Sequence, residues 1–234
     1  MKACSVFLAA LVLRCALGEI SMPTLFGDNM VMQTNNAYGS GSFVWGKAIA
    51  GETVSVSTTS RGNYAVVADS NGDWSVTLNP SSDYASFSMT VSGSVSTNKL
   101  QFHNLAFGDV FLCSGQSNQV FPLLQINNYS TIEPHLDDDS IRLFSVAMVG
   151  ASTPQWDFQK GSCGWTGTNL TCNQWELSSR QTAPWFSAVC YLHALHWRNM
   201  YSGNSRRPLG LIFSAWGGTE VEQWMPESAF DQCP

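Results

Sequence analysis

Residues 109–118 read Asp-Val-Phe-Leu-Cys-Ser-Gly-Gln-Ser-Asn, and this stretch decides the fold of the second half of the chain. The apolar run that follows Asp109 predicts a buried strand, and the small polar residues after it predict a loop. Open α/β sheets place ligands and catalytic groups at this carboxyl end of their strands. Ser117 is therefore a candidate nucleophile, although a serine that only caps a following helix through its hydroxyl fits the same pattern.

The rest of the second half extends this pattern. Strands are predicted at residues 141–146 and 208–214, with a helix between them at residues 184–201. The apolar face predicted for this helix comprises Phe186, Val189, Cys190, Leu192, Leu195 and Met200. Buried strands that alternate with a helix indicate an α/β layer built on a parallel sheet.

A second strand-end loop follows residue 213 and reads Ser-Ala-Trp-Gly-Gly-Thr over residues 214–219. Consecutive glycines let the backbone turn with positive φ and aim N–H groups into a cleft, which is how an oxyanion is bound. The same sequence is also consistent with a glycine pair that only ends a strand and has no function.

The first half of the chain has a different pattern. Between residues 19 and 105, short alternating segments are separated at nearly regular intervals by turn signals such as Ser-Asn-Gly-Asp at residues 70–73. This is typical of an antiparallel β sandwich. We expect a β-sandwich domain at 19–105, followed at 106–234 by an incomplete α/β domain.

Composition limits the function classes. The 234 residues are 44% hydrophobic and 12% charged, with nine Trp, thirteen Phe and a net charge of -6. Such a chain can bury a large core and is not disordered. Nucleic acids and anionic membranes require clustered positive charge, which the sequence lacks, so neither is expected as the main partner.

The first eighteen residues are typical of a secretory signal. Lys2 precedes an apolar run at residues 6–13, and Ala-Leu-Gly at 16–18 suits cleavage after Gly18. Eight apolar residues are too few to span a membrane. The prediction is therefore a secreted or lysosomal protein with a signal peptide at 1–18 and no membrane span.

Secretion changes the interpretation of the cysteines, because disulfides persist in an oxidising compartment. Five of the seven cysteines follow the signal. Cys163 and Cys172 are the best local pair. Cys113 lies in an apolar strand pattern, which favours a buried free thiol. Cys233 is expected to be half of a bridge to a partner elsewhere.

Two N-glycosylation sequons begin at Asn128 and Asn169, in polar loops. A secreted chain makes their modification plausible, although a sequon can also stay unmodified.

Several segments resemble the sialate O-acetylesterases, a family of the SGNH hydrolase group. Residues 107–118 are similar to the family's nucleophile block, and residues 208–212 with 216–224 are similar to its second block. Residues 26–33 and 44–47 resemble its β domain. The resemblance covers nearly all of the chain after the signal.

The resemblance implies that Ser117 is the acyl-accepting nucleophile, and that the N–H groups of Ser117 and Gly218 form the oxyanion hole. It further implies that Gln116 and Asn118 fix the loop or touch the substrate, and that Glu222 braces the site. The implied reaction is hydrolysis of acetyl esters on sialic acids or sialoglycoconjugates through an acyl-enzyme, with no metal or other cofactor.

The sequence departs from the family in two ways. Gln119 stands where the family usually has Met. The family's general base and orienting carboxylate come from an Asp-x-x-His motif that follows a Gln-Gly-Glu block, and the 234 residues contain neither. A serine hydroxyl without a base is a poor nucleophile. We expect a chain truncated before that motif, with slow ester hydrolysis by residues 19–234 alone.

The histidines do not replace this base. His193 and His196 share a helical face, but no carboxylate or cysteine lies at ligand spacing beside them. His135, next to the acidic residues 137–139, is interpreted as part of a solvated loop, and His103 as structural. The sequence predicts no metal site and assigns no base.

Two function classes remain. One is a serine esterase acting on O-acetylated sialic acids. The other is a non-catalytic carbohydrate-binding protein in which Trp45, Trp74 and Trp165 stack on sugars, although large aromatics more often fill cores. Retained turnover of acetyl esters distinguishes the two.

Overall fold

The computed structural model describes residues 18–34, 41–79, 81–164, 170–201 and 206–230. Its strands are β1 (Val31–Gln33), β2 (Ser42–Lys47), β3 (Thr53–Thr58), β4 (Asn63–Val67), β5 (Asp73–Leu78), β6 (Phe87–Gly93), β7 (Lys99–Gly115), β8 (Asp138–Ser145), β9 (Trp175–Ser178) and β10 (Leu209–Ala215). Its helices are α1 (Ser117–Val120), α2 (Tyr129–Ile132), α3 (Ala188–Tyr201) and α4 (Glu227–Phe230), with 3-10 turns at Leu123–Gln125, Glu133–His135 and Val221–Trp224. Predictions made for the signal peptide, Trp165, Asn169 and Cys233 lie outside the described residues, apart from Gly18.

One mixed sheet organises the molecule, in the order β4-β3-β6-β7-β10-β8-β9, with β1 also paired to β7. The long strand β7 connects its two parts. The first half of β7 pairs antiparallel with β6, and its second half pairs parallel with β10. Strand β10 also pairs parallel with β8, as expected for an α/β layer, whereas β9 adds an antiparallel edge.

Short antiparallel strands fill the first half, but they do not form a self-contained unit. A separate ribbon of β2 and β5 shares one hydrophobic cluster with β3 and β6, with Val44 and Val54 fully buried. Phe144 and Trp175 from the second half belong to the same cluster. The sandwich predicted for 19–105 is therefore not established. A boundary at residue 105 falls inside β7, and the division into domains stays a prediction.

Helix α3 begins later than predicted, and its buried face agrees only in part with the predicted one. The Ser187 hydroxyl accepts the Cys190 N–H at 3.3 Å, as a serine before a helix does, so the helix begins at Ala188 and not at residue 184. Tyr191 and Ala194 are buried with Cys190, whereas Val189 is 52% exposed. Of the predicted face, Leu192 and Leu195 are partly buried against the same core as Cys190, whereas Val189 and Met200 lie outside the stripe that contacts the sheet.

The described residues contain two disulfides. Cys163 and Cys172 form the predicted bridge, with 5.8 Å between their Cα atoms. The free thiol predicted for Cys113 is wrong, since Cys113 is bonded to Cys190 at the same Cα separation. Alternation along β7 turns Cys113 toward α3, whose buried face presents Cys190.

A buried arginine ties the two parts of the sheet together. Arg142 of β8 is 5% exposed, and its guanidinium donates to the carbonyls of Asn29, Met30 and Asn104. Asn29 and Asn104 both have positive φ, so the arginine binds a turn at Asn29 and the irregularity in the pairing of β7 with β6 at Asn104. Burial lowers the pKa of Arg142 to about 10, so the side chain stays charged at neutral pH.

Two of the tryptophans proposed to stack on sugars serve the fold. Trp74 is 3% exposed and belongs to the core, which excludes a sugar contact in this state. Trp45 packs edge-on against Phe26, with ring centroids 4.7 Å apart. In the described part of the chain, no helix is long and apolar enough to cross a membrane.

Candidate active site

Ser117 lies at the carboxyl end of β7, where the sequence predicted a site. Strand β7 ends at Gly115, and Ser117 is the first residue of the short helix α1. Its hydroxyl is exposed and donates to the Gln116 side-chain oxygen at 3.3 Å. The serine is therefore accessible to a substrate.

The second predicted loop lies directly beside Ser117. The Trp216 N–H donates to the Gly115 carbonyl at 2.9 Å, which joins the ends of β7 and β10. A methyl group placed on Gly217 would lie 3.8 Å from both Cα and Cβ of Ser117. Parallel pairing of β7 with β10 brings together two motifs that are a hundred residues apart in sequence.

Backbone N–H groups at this junction are available to a ligand. Gly218 has φ +82°, and a methyl group added to it would meet nothing within 4 Å. In the described ranges, the N–H groups of Ser117 and Gly218 donate to no acceptor. Free N–H groups at the turn that holds a serine are what an oxyanion hole requires.

A cleft adjoins the glycine pair. It has a volume of about 740 Å³ and is bounded by residues 146–151, residues 214–219, Gln223 and Trp224; we call it the Trp cleft. A smaller hollow of about 290 Å³ contacts Ser114, Gln116 and Val221, and shares Trp224 with the Trp cleft. The Trp cleft lies at the carboxyl ends of β8 and β10, and the smaller hollow lies between the end of β7 and the segment that follows β10.

Three other predicted site residues are exposed near this junction. Gln116 contacts the Ser117 hydroxyl, as noted, while Asn118 follows it on α1. Glu222 lies in the 3-10 turn Val221–Trp224 and is also exposed. Among the described residues its carboxylate contacts no partner, so its bracing role stays a prediction.

No general base is positioned against Ser117 by the described residues. The His193 ring packs on Phe111, 5.6 Å between centroids, and His103 approaches the Ser88 hydroxyl at 3.4 Å. His135 lies in an exposed 3-10 turn. No three metal-binding side chains come together among the described residues. His193 and His196 therefore have no third ligand beside them there.

The predicted glycosylation residue Asn128 is exposed. It precedes α2 with φ 64°, and its carbonyl accepts the Thr131 hydroxyl at 2.8 Å. Its side chain makes no hydrogen bond within the described residues. Modification at Asn128 stays a prediction.

Sequence reasoning missed the contacts that fix α1. The Gln119 side-chain amide donates to the Ser187 hydroxyl at 3.0 Å, and the Ala188 N–H donates to the Phe121 carbonyl at 2.9 Å. With the disulfide from β7 to α3, these bonds hold the Ser117 turn against the start of α3. Ser187 preceding an apolar run was a detectable helix-start signal.

The most perturbed ionisable groups of the second half lie away from Ser117, near Asp138 at the amino end of β8. Burial would raise the pKa of Asp138, but hydrogen bonds from Ser140 and Arg198 lower it overall. Burial raises the pKa of Tyr191 to about 12, and its hydroxyl lies 2.8 Å from that of Ser178. This network stabilises the opposite end of the sheet.

Comparisons with known proteins concern the chain as a whole. No protein-family model matches the chain. It is 32% identical over 209 residues to the sialate O-acetylesterase of Rattus norvegicus, covering 83% of this chain and 36% of that protein. The corresponding Homo sapiens enzyme is 30% identical over 218 residues, covering 88% and 39%. A crystal structure of a carbohydrate acetylesterase from Xanthomonas citri matches with a TM-score of 0.75 and 26% identity, over 90% of this chain and 44% of that one.

The fold of the described residues is thus similar to that of a carbohydrate acetylesterase. Over most of its length the chain is similar to curated proteins named sialate O-acetylesterase, which confirms the resemblance seen in the sequence. The chain spans well under half the length of the curated relatives that it matches.

Proposed function

We propose that the chain carries the nucleophile and oxyanion hole of a serine esterase that removes O-acetyl groups from sialic acids. The observation that supports this most is the position of Gly217, whose backbone lies against Ser117 at the ends of two parallel strands. The names of the relatives favour an acetyl ester of a carbohydrate as the substrate.

The proposed reaction starts with Ser117. Its hydroxyl oxygen bonds to the acetyl carbonyl carbon while a base takes the proton, and the carbonyl oxygen becomes an oxyanion. The N–H groups of Ser117 and Gly218 stabilise that oxyanion. The carbon–oxygen bond to the sugar then breaks, and the sugar hydroxyl leaves with the proton. Water attacks the acetyl-serine to release acetate and restore Ser117.

The proposal can be tested by supplying a base to Ser117 from solution. Since the described residues place no imidazole against the Ser117 hydroxyl, an added base should accelerate the reaction. We would measure acetate release from an O-acetylated sialoside with and without free imidazole, in the wild type and in Ser117→Ala. We expect imidazole to raise the wild-type rate and to leave Ser117→Ala at the rate of imidazole alone.

Ser228→Ala is the matched control, because Ser228 is also an exposed serine of a short helix, α4. It should behave as the wild type. Equal imidazole-dependent rates in Ser117→Ala and wild type would contradict the proposal. In that case the non-catalytic carbohydrate-binding function gains support, since the Trp cleft does not depend on Ser117 chemistry.

The proposed location is a secretory or lysosomal compartment. Two disulfides, Cys113–Cys190 and Cys163–Cys172, support it because such bonds persist under oxidising conditions. Mapping of unreduced peptides from protein recovered from the medium or from lysosomes tests both the location and the bridges.

A further inference from the structure

We propose that the Trp cleft is the sugar-binding subsite, in which the ring of an O-acetylated sugar stacks on Trp224 with Trp216 beside it. This inference deepens the proposed function and rests on it. It assigns the sugar to tryptophans other than the three that the sequence suggested.

Exposure of the two indoles is the first support. Trp216 is 43% and Trp224 38% exposed, and both line the same concavity. Trp45 and Trp156 are exposed to a similar degree, so what sets Trp216 and Trp224 apart is that their exposed surfaces share one concavity and offer a contiguous aromatic surface to a ligand. The apolar faces of sugar rings stack on such flat aromatic surfaces.

Hydrogen bonds hold the Trp224 indole in place before any ligand binds. Its Nε1–H donates to the Thr219 hydroxyl at 2.9 Å, and that hydroxyl donates to the Trp216 carbonyl at 2.7 Å. The Glu220 N–H donates to the Gln223 side-chain oxygen at 3.1 Å, which closes a capping box on the same turn. An ordered aromatic surface loses little freedom on binding.

The lining of the Trp cleft suits a sugar of limited size. Val146 and Met148 supply apolar wall, while Ser214 and Gln223 supply neutral polar groups. Gln223 uses its oxygen in the capping box, and its amide N–H groups donate to no acceptor among the described residues, so they can donate to sugar hydroxyls. The volume of about 740 Å³ lies within the usual range for small-molecule sites.

The Trp cleft also lies where a bound ester must reach the nucleophile. Gly217 and Gly218 line it, and Gly217 lies against Ser117. A sugar on Trp224 would therefore have its acetyl group next to the free N–H groups of the glycine turn.

Binding measured without turnover tests the assignment. In the Ser117→Ala background, we would titrate an O-acetylated sialoside and an O-acetylated neutral methyl glycoside by calorimetry. We expect saturable binding of at least one sugar, and a loss of about tenfold in affinity in Trp224→Ala. Trp156→Ala is the matched control, because Trp156 is 44% exposed and lies outside the cleft. It should bind as the background protein does.

A second measurement does not depend on the folding of a variant. Acrylamide quenching of indole fluorescence in the unsubstituted cleft should weaken when the sugar is added.

The conservative variant Trp224→Phe should retain part of the affinity. No saturable binding of either sugar, or equal affinity in Trp224→Ala and Trp156→Ala, would overturn the assignment. If sugar binding requires Trp224 but acetate release does not depend on Ser117, the esterase function is overturned. The assignment of the sugar-binding subsite would then still stand.

Discussion

The side-chain amide of Gln119 donates to the hydroxyl of Ser187, 3.0 Å away, and so joins the helix that carries Ser117 to the start of α3. Ser187 is fully buried and also accepts the Cys190 N–H at 3.3 Å. One hydroxyl thus begins a helix and holds the turn that carries Ser117, the proposed nucleophile. The resemblance led us to regard Gln119 only as a departure from the family's Met, yet the structure gives its amide a defined role.

Ser187→Ala should lower the free energy of unfolding by about 1–2 kcal/mol, because it removes a helix cap and leaves the Gln119 amide without its acceptor. Gln119→Met should cost less, since Ser187 keeps its bond to Cys190. Urea denaturation of both single variants and of the double variant measures the coupling between the residues. Strictly additive effects would show that the hydrogen bond contributes nothing, and Ser228→Ala serves as the neutral reference.

The two disulfides should differ in their effects on stability. On the chain-entropy model, stabilisation grows with the length of the closed loop. The Cys113–Cys190 bridge spans a separation of 77 residues and the Cys163–Cys172 bridge one of 9. We expect losses of about 4 and about 2–3 kcal/mol for the paired alanine variants. Thermal denaturation of Cys113→Ala/Cys190→Ala and Cys163→Ala/Cys172→Ala under non-reducing conditions makes the comparison. The opposite ranking would show that native-state contacts outweigh loop closure.

The bridge to Cys190 also shows where sequence reasoning stops. Ser117 and Gly217 could be brought together from sequence, because both follow apolar strands and parallel strands end at the same edge. The sequence placed both Cys113 and Cys190 at buried positions, but pairing them required the packing of α3 on the end of β7, which is tertiary information. Likewise, β7 extends through residue 105 because Phe107 and Asp109 continue its buried run, which no turn signal interrupts. The existence of each strand could be predicted from its local sequence, whereas the continuity of the sheet depends on tertiary contacts.

A buried carboxylate in the first half predicts a pH dependence of stability. Glu52 is 2% exposed, and although burial raises its pKa, bonds from the N–H groups of Ser96, Val95 and Ile49 and from the Ser96 hydroxyl lower it overall. A folded-state pKa below the unfolded one stabilises the protein above the unfolded value, and this contribution is lost as pH falls through the folded pKa. The relevant window lies below the ordinary value of 4.5.

Glu52→Gln should therefore destabilise the protein by about 1–2 kcal/mol at pH 7, since several N–H donors lose a charged acceptor. The difference from wild type should shrink below pH 4.5, where the wild-type carboxyl takes up its proton. Melting temperatures at pH 7 and pH 3.5 measure this change. Glu133→Gln, at an exposed glutamate, is the control. A difference that is constant with pH would exclude ionisation of Glu52 as its source.

Gly218 offers a direct test of the oxyanion hole, because the chain contains a matched glycine elsewhere. Gly218 has φ +82° and Gly51 has φ +77°, and an added methyl group meets nothing within 4 Å at either position. Alanine at either position should lower the free energy of unfolding by a similar amount, about 1 kcal/mol, because both backbones are in the left-handed region. Relief of that strain would turn the Gly218 N–H away from the oxyanion position.

We expect Gly218→Ala to lower imidazole-assisted acetate release by about 10²-fold, within the range for loss of an oxyanion donor, and Gly51→Ala to leave it unchanged. Sugar binding at Trp224 should survive in both variants, since neither removes an indole. Acetate assays and calorimetry on the same samples separate the two effects. If Gly218→Ala and Gly51→Ala lose equal stability and keep equal turnover, the Gly218 N–H is not an oxyanion donor. The hole would then have to be built from the Ser117 N–H and the neighbouring Gly217 alone.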